Sequence, residues 1–103
     1  MENRIQAFWN NQAAWSRETF GADEVRGPLG PLKHLEKEAK EAQENPDDEF
    51  EYADCLFLLF DAARRKGMTL QQLIETCEVK LEINKLRKWN KPTDDGPVEH
   101  VRD

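Results

Sequence analysis

Four carboxylate side chains occur in two pairs with helical spacing. Glu38 and Glu41 form one pair and Glu51 and Asp54 the other, each with an i, i+3 spacing. On a helix this spacing puts both carboxylates of a pair on roughly one face. If two helices form an antiparallel hairpin around Pro46, the pairs face each other across one cavity. Oxygen donors of this kind suit Mg²⁺ or Mn²⁺ rather than zinc, so the sequence predicts a metal site with these four carboxylates as ligands.

Each pair also has an ordinary explanation when it is taken alone. A glutamate pair at i, i+3 is common on any solvated helix, and a carboxylate inside an apolar helix can instead pair with arginine or lysine. Two such pairs at this separation occur together by chance much less often. The joint pattern therefore favours the metal site.

The segment 53–63 is apolar nearly all the way round a helix, although it contains Asp54 and Asp61. A helix that is apolar on every face must be covered on every face, and four short helices in one chain can hardly do that. We therefore expect a partner subunit and a largely buried Asp54. A buried carboxylate needs a cation, a metal or hydrogen bonds to compensate its charge. Asp61 is either a further metal ligand or the partner of Lys80.

A polar stripe runs along the last predicted helix. Lys80, Asn84 and Arg87 follow an i, i+4, i+7 spacing, which places two cations and an amide on one line. Such a line can contact successive phosphate oxygens, and arginine can do so bidentately. The alternative is a solvated charged face interleaved with Glu78 and Glu82.

Helical periodicity dominates the elements that must position these residues. Pro31 suits a helix start, Asp47 and Asp48 suit the positive end of a helix dipole, and Gly67 suits a helix end. Thr69 is a suitable N-cap for the helix that follows. The sequence therefore predicts an all-α, bundle-like fold in a single domain spanning 1–103. Its predicted helices are 2–16, 31–44, 47–66 and 70–89, with a loop over 21–30 and a turn-like tail from about residue 92.

The candidate contacts to a nucleobase or phosphate are less specific. His34 lies one turn before Glu38 and can approach a phosphate or a base, or simply cap or pack. The loop over 27–31 precedes the acidic helix and can line a pocket through backbone groups. Four aromatic side chains offer flat surfaces for stacking, although an aromatic residue on a helix is more often part of the core: Phe8, Trp9, Trp15 and Phe20.

Composition excludes several other classes of protein. The 103 residues carry a net charge of -6, which argues against general binding to nucleic acid or to an anionic membrane. The longest uncharged apolar stretch, 55–60, is far shorter than the ~20 residues of a membrane helix. The N-terminus lacks the pattern of a signal peptide. Cys55 and Cys77 form no metal or redox spacing, so we expect two reduced thiols and a cytosolic protein.

The motifs resemble those of a known family. The two carboxylate pairs match the ExxE…ExxD signature of the MazG-like all-α nucleoside triphosphate pyrophosphohydrolases. The chain looks most like their small dATP/dGTP pyrophosphohydrolase branch, which is frequent in bacteriophages. The matching segments are His34-Leu35-x-Lys37-Glu38, the run 53–61, Lys80-x-x-x-Asn84-x-x-Arg87-x-Trp89 and the ending Glu99-His100.

The resemblance implies hydrolysis of a nucleoside triphosphate, with dATP and dGTP as substrates, to the monophosphate and pyrophosphate. It implies a four-helix MazG-like bundle completed as a homodimer or homotetramer, which would act in the cytoplasm of the host if the chain is phage-encoded. Glu38 or Glu41, with Glu38 preferred, would position or deprotonate the attacking water. By the same resemblance, the residues on the substrate side are Lys80, Asn84, Arg87, Asp61 and His34.

Two other functions remain open at the level of sequence. One is a non-catalytic helical dimer, a regulator or adaptor whose acidic and basic residues form ion pairs between subunits. The other keeps the same chemistry and changes the substrate to a pyrimidine nucleotide such as dUTP or dCTP.

Overall fold

The computed structural model describes residues 2–101, which form five α-helices and no strand. An isolated antiparallel bridge joins Trp89 to His100. The prediction of an all-α protein is therefore confirmed. The helices are α1 (Glu2–Phe20), α2 (Asp23–Arg26), α3 (Leu29–Glu44), α4 (Glu49–Lys66) and α5 (Leu70–Leu86).

The segment between the first two long helices is more helical than the sequence predicted. No helix-breaking residue precedes Gly21, so α1 continues past residue 16 until Gly21 adopts a φ of +106°. The short α2 lies inside the predicted loop over 21–30. Helix α3 begins at Leu29, and Pro31 lies in its first turn, where a missing N–H costs no hydrogen bond.

The ends of α4 follow from its flanking residues. The Asp48 carboxylate caps the start by accepting a hydrogen bond from the Phe50 N–H at 3.0 Å. Gly67 ends the helix with a φ of +108°, and its N–H donates to the Arg64 carbonyl at 2.9 Å. Both boundaries lie within two residues of the prediction.

The described chain divides after Leu70 into two compact units. In the first unit, α4 packs most extensively against α3 and also contacts α1 and α2. The aromatic core lies between α1 and α4, where the rings of Trp9 and Phe60 have centroids 4.9 Å apart. Trp9 is therefore a core residue, which is the more common of the two roles that the sequence left open.

The second unit contains α5 and the tail. Helix α5 ends at Leu86, three residues before the predicted end, because the chain then pairs with the tail. The Asn90 N–H donates to the Glu99 carbonyl at 3.0 Å, and the Val101 N–H donates to the Lys88 carbonyl at 2.6 Å. Within the tail the predicted turn is present, since the Gly96 N–H donates to Thr93 Oγ1 at 3.1 Å.

Among residues 2–101, no helix combines the length and the apolar character that a bilayer span requires.

Candidate metal centre

The connection between α3 and α4 sets the register of the acidic residues. The Asn45 N–H donates to the Glu41 carbonyl at 3.0 Å, and the Asp48 N–H donates to the Asn45 carbonyl at 3.0 Å. The Tyr52 hydroxyl donates to the Pro46 carbonyl at 2.7 Å, which ties the first turn of α4 to the connection. A connection this short makes the two helices antiparallel neighbours. The acidic residues at the end of α3 and the start of α4 are thereby brought together.

Three of the four predicted metal ligands form one cluster. Each of Glu38, Glu41 and Glu51 offers a carboxylate oxygen that lies within 4.8 Å of the other two, and all three residues are half-buried. We call these three residues the acidic cluster. His34 Nε2 lies 3.1 Å from Glu38 Oε1, one turn along the same helix. The predicted histidine is therefore in direct contact with one member of the acidic cluster.

The carboxylates of the acidic cluster repel one another. A hydrogen bond with Glu38 and the charge of Glu38 raise the pKa of Glu41 above its usual value of 4.5. Burial is the largest cause of the raised pKa of Glu51, and the nearby charges of Glu41 and Asp48 raise it further. A raised carboxyl pKa means that the ionised form is disfavoured where it stands. A bound cation would remove that cost.

One oxygen of the acidic cluster has no partner. Glu51 Oε2 is buried and finds no hydrogen-bond partner among the described residues. Buried polar atoms are nearly always satisfied, and an orphaned carboxylate oxygen is a typical sign of a missing ion or water. Together with the hard oxygen donors around it, this atom fits Mg²⁺ or Mn²⁺.

Asp54 differs from the prediction in its exposure. It is exposed in the single chain, so the expectation of a largely buried Asp54 is wrong for this structure. It lies one turn after Glu51 and is near enough for its charge to raise the pKa of Glu51. It is not part of the cluster whose oxygens lie within 4.8 Å of one another. The apolar segment around it is also incompletely covered, since Leu56 is 44% exposed and Leu59 is 43% exposed.

Asp61 has a partner that neither sequence interpretation included. Its Oδ1 lies 2.9 Å from Arg64 Nη2 and accepts a hydrogen bond from Gln12 Nε2 at 3.0 Å. All three residues are buried. Asp61 is therefore compensated by a salt bridge one turn along its own helix.

Arg64 and Arg65 are buried, which the sequence did not predict. Cations in the last turn of a helix usually interact with the helix dipole and stay solvated. Arg64 Nε instead donates to Asp23 Oδ1 at 3.1 Å, and Arg65 Nη2 donates to Ser16 Oγ at 3.0 Å. Burial raises the pKa of Asp23, but the hydrogen bonds from Arg17 and Arg64 and their charges bring it below its usual value. The i, i+3 pair of Asp61 and Arg64 was the available sequence signal.

The first unit also contains a cavity of about 110 Å³, and one of its lining residues is His34, which contacts Glu38. The cavity is bounded by all four helices of the first unit, and its lining includes several candidate substrate contacts of the sequence: Phe20, Gly30, Pro31, His34 and Asp61. Its lining residues are Phe20, Arg26, Gly30, Pro31, His34, Leu58, Asp61 and Arg65.

Two of the three residues of the predicted stripe, Lys80 and Asn84, lie on α5, whereas Arg87 directly follows the end of that helix at Leu86. Lys80 is exposed, whereas Asn84 and Arg87 are half-buried. Arg87 Nη1 donates to Asn84 Oδ1 at 3.4 Å, so two members of the stripe contact each other. The Trp89 indole N–H donates to the Asn84 carbonyl at 2.8 Å, which holds the end of α5 against the segment that follows.

Both cysteines are free thiols, as predicted. Cys55 is half-buried beside the acidic cluster, and burial raises the pKa of its thiol. A raised pKa keeps a thiol protonated and unreactive. We therefore assign neither cysteine to the site.

The chain is similar to phage proteins over most of its length. The family model described as dATP/dGTP pyrophosphohydrolase matches residues 8–103. The Eaa protein of Salmonella phage P22 is 50% identical over 91 residues, which make up 88% of this chain but only 28% of that protein. A solved structure of the cyanophage S-2L MazG-like pyrophosphohydrolase, bound to dGDP and three catalytic Mn²⁺ ions per active site, matches with a TM-score of 0.72. The sequence identity to it is 28%, and the match covers 100% of this chain and 95% of that one.

Proposed function

Because the chain belongs to the dATP/dGTP pyrophosphohydrolase family and has a MazG-like fold, we propose that it hydrolyses dATP and dGTP to the monophosphate and pyrophosphate. The observation that carries the proposal is the acidic cluster, with its raised carboxyl pKa values and the unpartnered Glu51 oxygen. Such a cluster destabilises a protein that has no use for a cation. The reaction would take place in the cytosol, where the nucleotide pool lies, and in the host cytosol if the chain is phage-encoded.

The acidic cluster supplies the ligands for Mg²⁺ or Mn²⁺. Glu38, Glu41 and Glu51 would hold the ions, and Asp54 would join them from the next turn of α4. When bound, such ions neutralise charge on the phosphates and make water a better nucleophile. The Mn²⁺ ions of the cyanophage structure support this choice of cofactor.

The protein's own groups would place the water and the substrate. Glu38 is the preferred residue to position or deprotonate the attacking water, with Glu41 as its neighbour, because His34 fixes the Glu38 carboxylate at 3.1 Å. Lys80 and Arg87 would stabilise charge on the departing pyrophosphate, and Asn84 would orient a phosphate or the sugar.

The proposal is tested with a panel of all ribo- and deoxynucleoside triphosphates, each incubated with the protein and Mg²⁺ or Mn²⁺. We expect dGTP and dATP to be consumed fastest and to give the monophosphate and pyrophosphate, which chromatography separates from diphosphate. Products consisting of diphosphate and orthophosphate would overturn the assignment. Equal rates on dUTP or dCTP would overturn the purine preference.

A matched pair of variants connects the activity to the acidic cluster. Glu38→Gln removes a proposed ligand and base, whereas Glu36→Gln removes an exposed charge from the same helix. We expect the first variant to lose activity by at least about 100-fold and the second to retain it. Equal activity of the two variants would contradict the assignment of Glu38.

A further inference from the structure

The cavity and the acidic cluster lie along one groove between α3 and α4. On α3, His34 lines the cavity and also contacts Glu38 of the cluster. On α4, Leu58 and Asp61 line the cavity and follow Glu51 at i+7 and i+10, about two and three turns along the same face. Neighbouring turns are about 5.4 Å apart. A molecule anchored at the cluster can therefore reach into the cavity without leaving the groove.

The walls of the cavity suit a flat ring. Phe20 of α1 and Leu58 of α4 supply apolar surface to its lining. Gly30 also lines the cavity, and a Cβ added there would meet no atom within 4 Å. The space of about 110 Å³ is several times what one ordered water needs. Gly30 therefore adds no side chain to this part of the cavity lining.

The cavity contains one strong acceptor that is held in place. The Asp61 side chain is 6% exposed, and both of its contacts, from Gln12 Nε2 and Arg64 Nη2, are made to Oδ1. A carboxylate has about four acceptor positions, so Asp61 can accept further hydrogen bonds. The neighbouring Arg65 guanidinium donates to Ser16 Oγ and to the Gly21 carbonyl within the fold. The ligand that fits Asp61 is one that presents N–H donors.

Building on the proposed function, we infer that this cavity takes the base of the nucleotide and that Asp61 is a specificity-determining acceptor for its N–H groups. Guanine presents two adjacent donors, a ring N–H and an amino group, whereas adenine presents one amino group. The cavity therefore favours guanine over adenine, while the acidic cluster serves the phosphates of either nucleotide.

The test compares dGDP with pyrophosphate, which lacks a base, by calorimetric titration in the presence of Mn²⁺. Gly30→Leu adds a side chain at the lining of the cavity. Because a residue with a Cβ directly before proline is disfavoured in a helix, retained pyrophosphate binding also checks that the variant folds. Lys33→Leu adds the same side chain to an exposed position of the same helix. We expect Gly30→Leu to weaken dGDP binding by at least about 10-fold and to leave pyrophosphate binding unchanged. Lys33→Leu should match the unmodified protein with both ligands.

The other outcomes count against the inference, and each identifies a different cause. Equal dGDP binding by the two variants would exclude the cavity as the base pocket and leave the proposed function intact. Equal weakening of dGDP and pyrophosphate would show that Gly30→Leu acts on the acidic cluster. A change of oligomeric state in Gly30→Leu alone would assign the cavity to a subunit contact. Failure of the unmodified protein to bind either ligand would overturn the proposed function as well.

Asp61→Asn tests the choice of base separately. The amide keeps one acceptor oxygen and replaces the other with a donor, so it mismatches the guanine edge more than the adenine edge. We expect the ratio of dGDP to dADP affinity to fall by about 10-fold. A merely structural role for Asp61 would lower both affinities and leave their ratio unchanged, which would overturn the assignment of this residue.

Discussion

Glu51 combines two features that rarely occur together in a stable protein. Its Oε2 is buried without a hydrogen-bond partner, and like charges surround it at the start of α4. Either feature costs folding free energy, because an unsatisfied buried acceptor loses its contacts with water and a neighbouring carboxylate adds repulsion. In the proposed function, a cation removes both costs.

The substitution Glu51→Gln should therefore separate stability from activity. It removes one charge from the acidic cluster and supplies an amide that can donate to Glu38 or Glu41. We expect a higher melting temperature for the metal-free protein and a loss of hydrolysis of at least about 100-fold. The control Glu36→Gln should change neither quantity. A lower metal-free melting temperature with full activity would contradict the assignment of Glu51.

The raised pKa values of Glu41 and Glu51 predict how stability depends on pH. A group whose pKa is higher in the folded state binds protons more readily there than in the unfolded chain, where its value is near 4.5. Its stabilising contribution is complete below 4.5 and is lost as pH rises through the raised value. Urea denaturation should therefore show the metal-free protein losing stability with rising pH relative to the Glu41→Gln/Glu51→Gln double variant.

Saturating Mn²⁺ provides the control for this pH dependence. The cation replaces protons at the carboxylates, so the metal-loaded protein should not lose stability over the same pH range. A constant difference between the metal-free protein and the double variant above pH 4.5 would contradict the pKa directions given for the cluster.

Helix α4 supports the site through the buried pairs at its C-terminal end. Arg64 compensates both Asp61 and Asp23, and its own side chain is 4% exposed. Replacing it with methionine keeps most of the packing but leaves the buried Asp61 without its salt bridge and removes one of the two arginines that donate to Asp23. We expect Arg64→Met to lower the free energy of unfolding by about 3–5 kcal/mol in urea denaturation. Lys66→Met, an exposed change two residues later, should lie within about 0.5 kcal/mol of the unmodified protein.

The helices that carry the site were largely predictable, because their signals are local. Asp48 caps α4 and Gly67 ends it, and these residue types act through their own backbone and side-chain chemistry. The i, i+3 spacing, together with the hairpin expected around Pro46, likewise predicted that Glu38, Glu41 and Glu51 lie together, although it also included Asp54. The family that the motifs indicated was confirmed by the match over residues 8–103.

Burial was harder to predict, because it depends on contacts that are distant in sequence. The expectation for Asp54 assumed that every face of α4 is covered, and the single chain leaves that face exposed. The burial of Arg64 and Arg65 has no local signal, because their partners Ser16 and Asp23 lie more than 40 positions away in the sequence. The sequence named Phe20, His34 and Asp61 as candidate substrate contacts, but it gave no signal that they line one cavity between four helices.

The whole chain leaves large apolar side chains uncovered. Phe50 is 81% exposed, Tyr52 is 58% exposed and Leu56 is 44% exposed, all on α4. We expect a homodimer or homotetramer in solution, because a domain of this size gains stability by covering such a face. Light scattering coupled to gel filtration should give a mass of at least two chains. Leu56→Glu should lower the measured mass toward that of one chain, whereas Gln43→Glu should leave the mass unchanged. A single-chain mass for the unmodified protein would contradict the expectation.

The distribution of charge predicts the response of the whole protein to metal. The segment 36–54 contains nine acidic residues and two lysines, a net charge of -7 in a chain whose total is -6. Cation binding at 100 times the dissociation constant adds about 2.7 kcal/mol of stability. In a domain of about 100 residues, each kcal/mol of added stability raises the melting temperature by about 4–8 °C, so Mn²⁺ should raise the melting temperature by about 10–20 °C.

The control for this prediction is K⁺ at matched ionic strength. K⁺ screens charge without binding to the site and should give a much smaller shift of the melting temperature. The Mn²⁺ shift should disappear in Glu38→Gln/Glu51→Gln; equal shifts with K⁺ and Mn²⁺ would mean that the acidic segment is a screened surface and not a metal site.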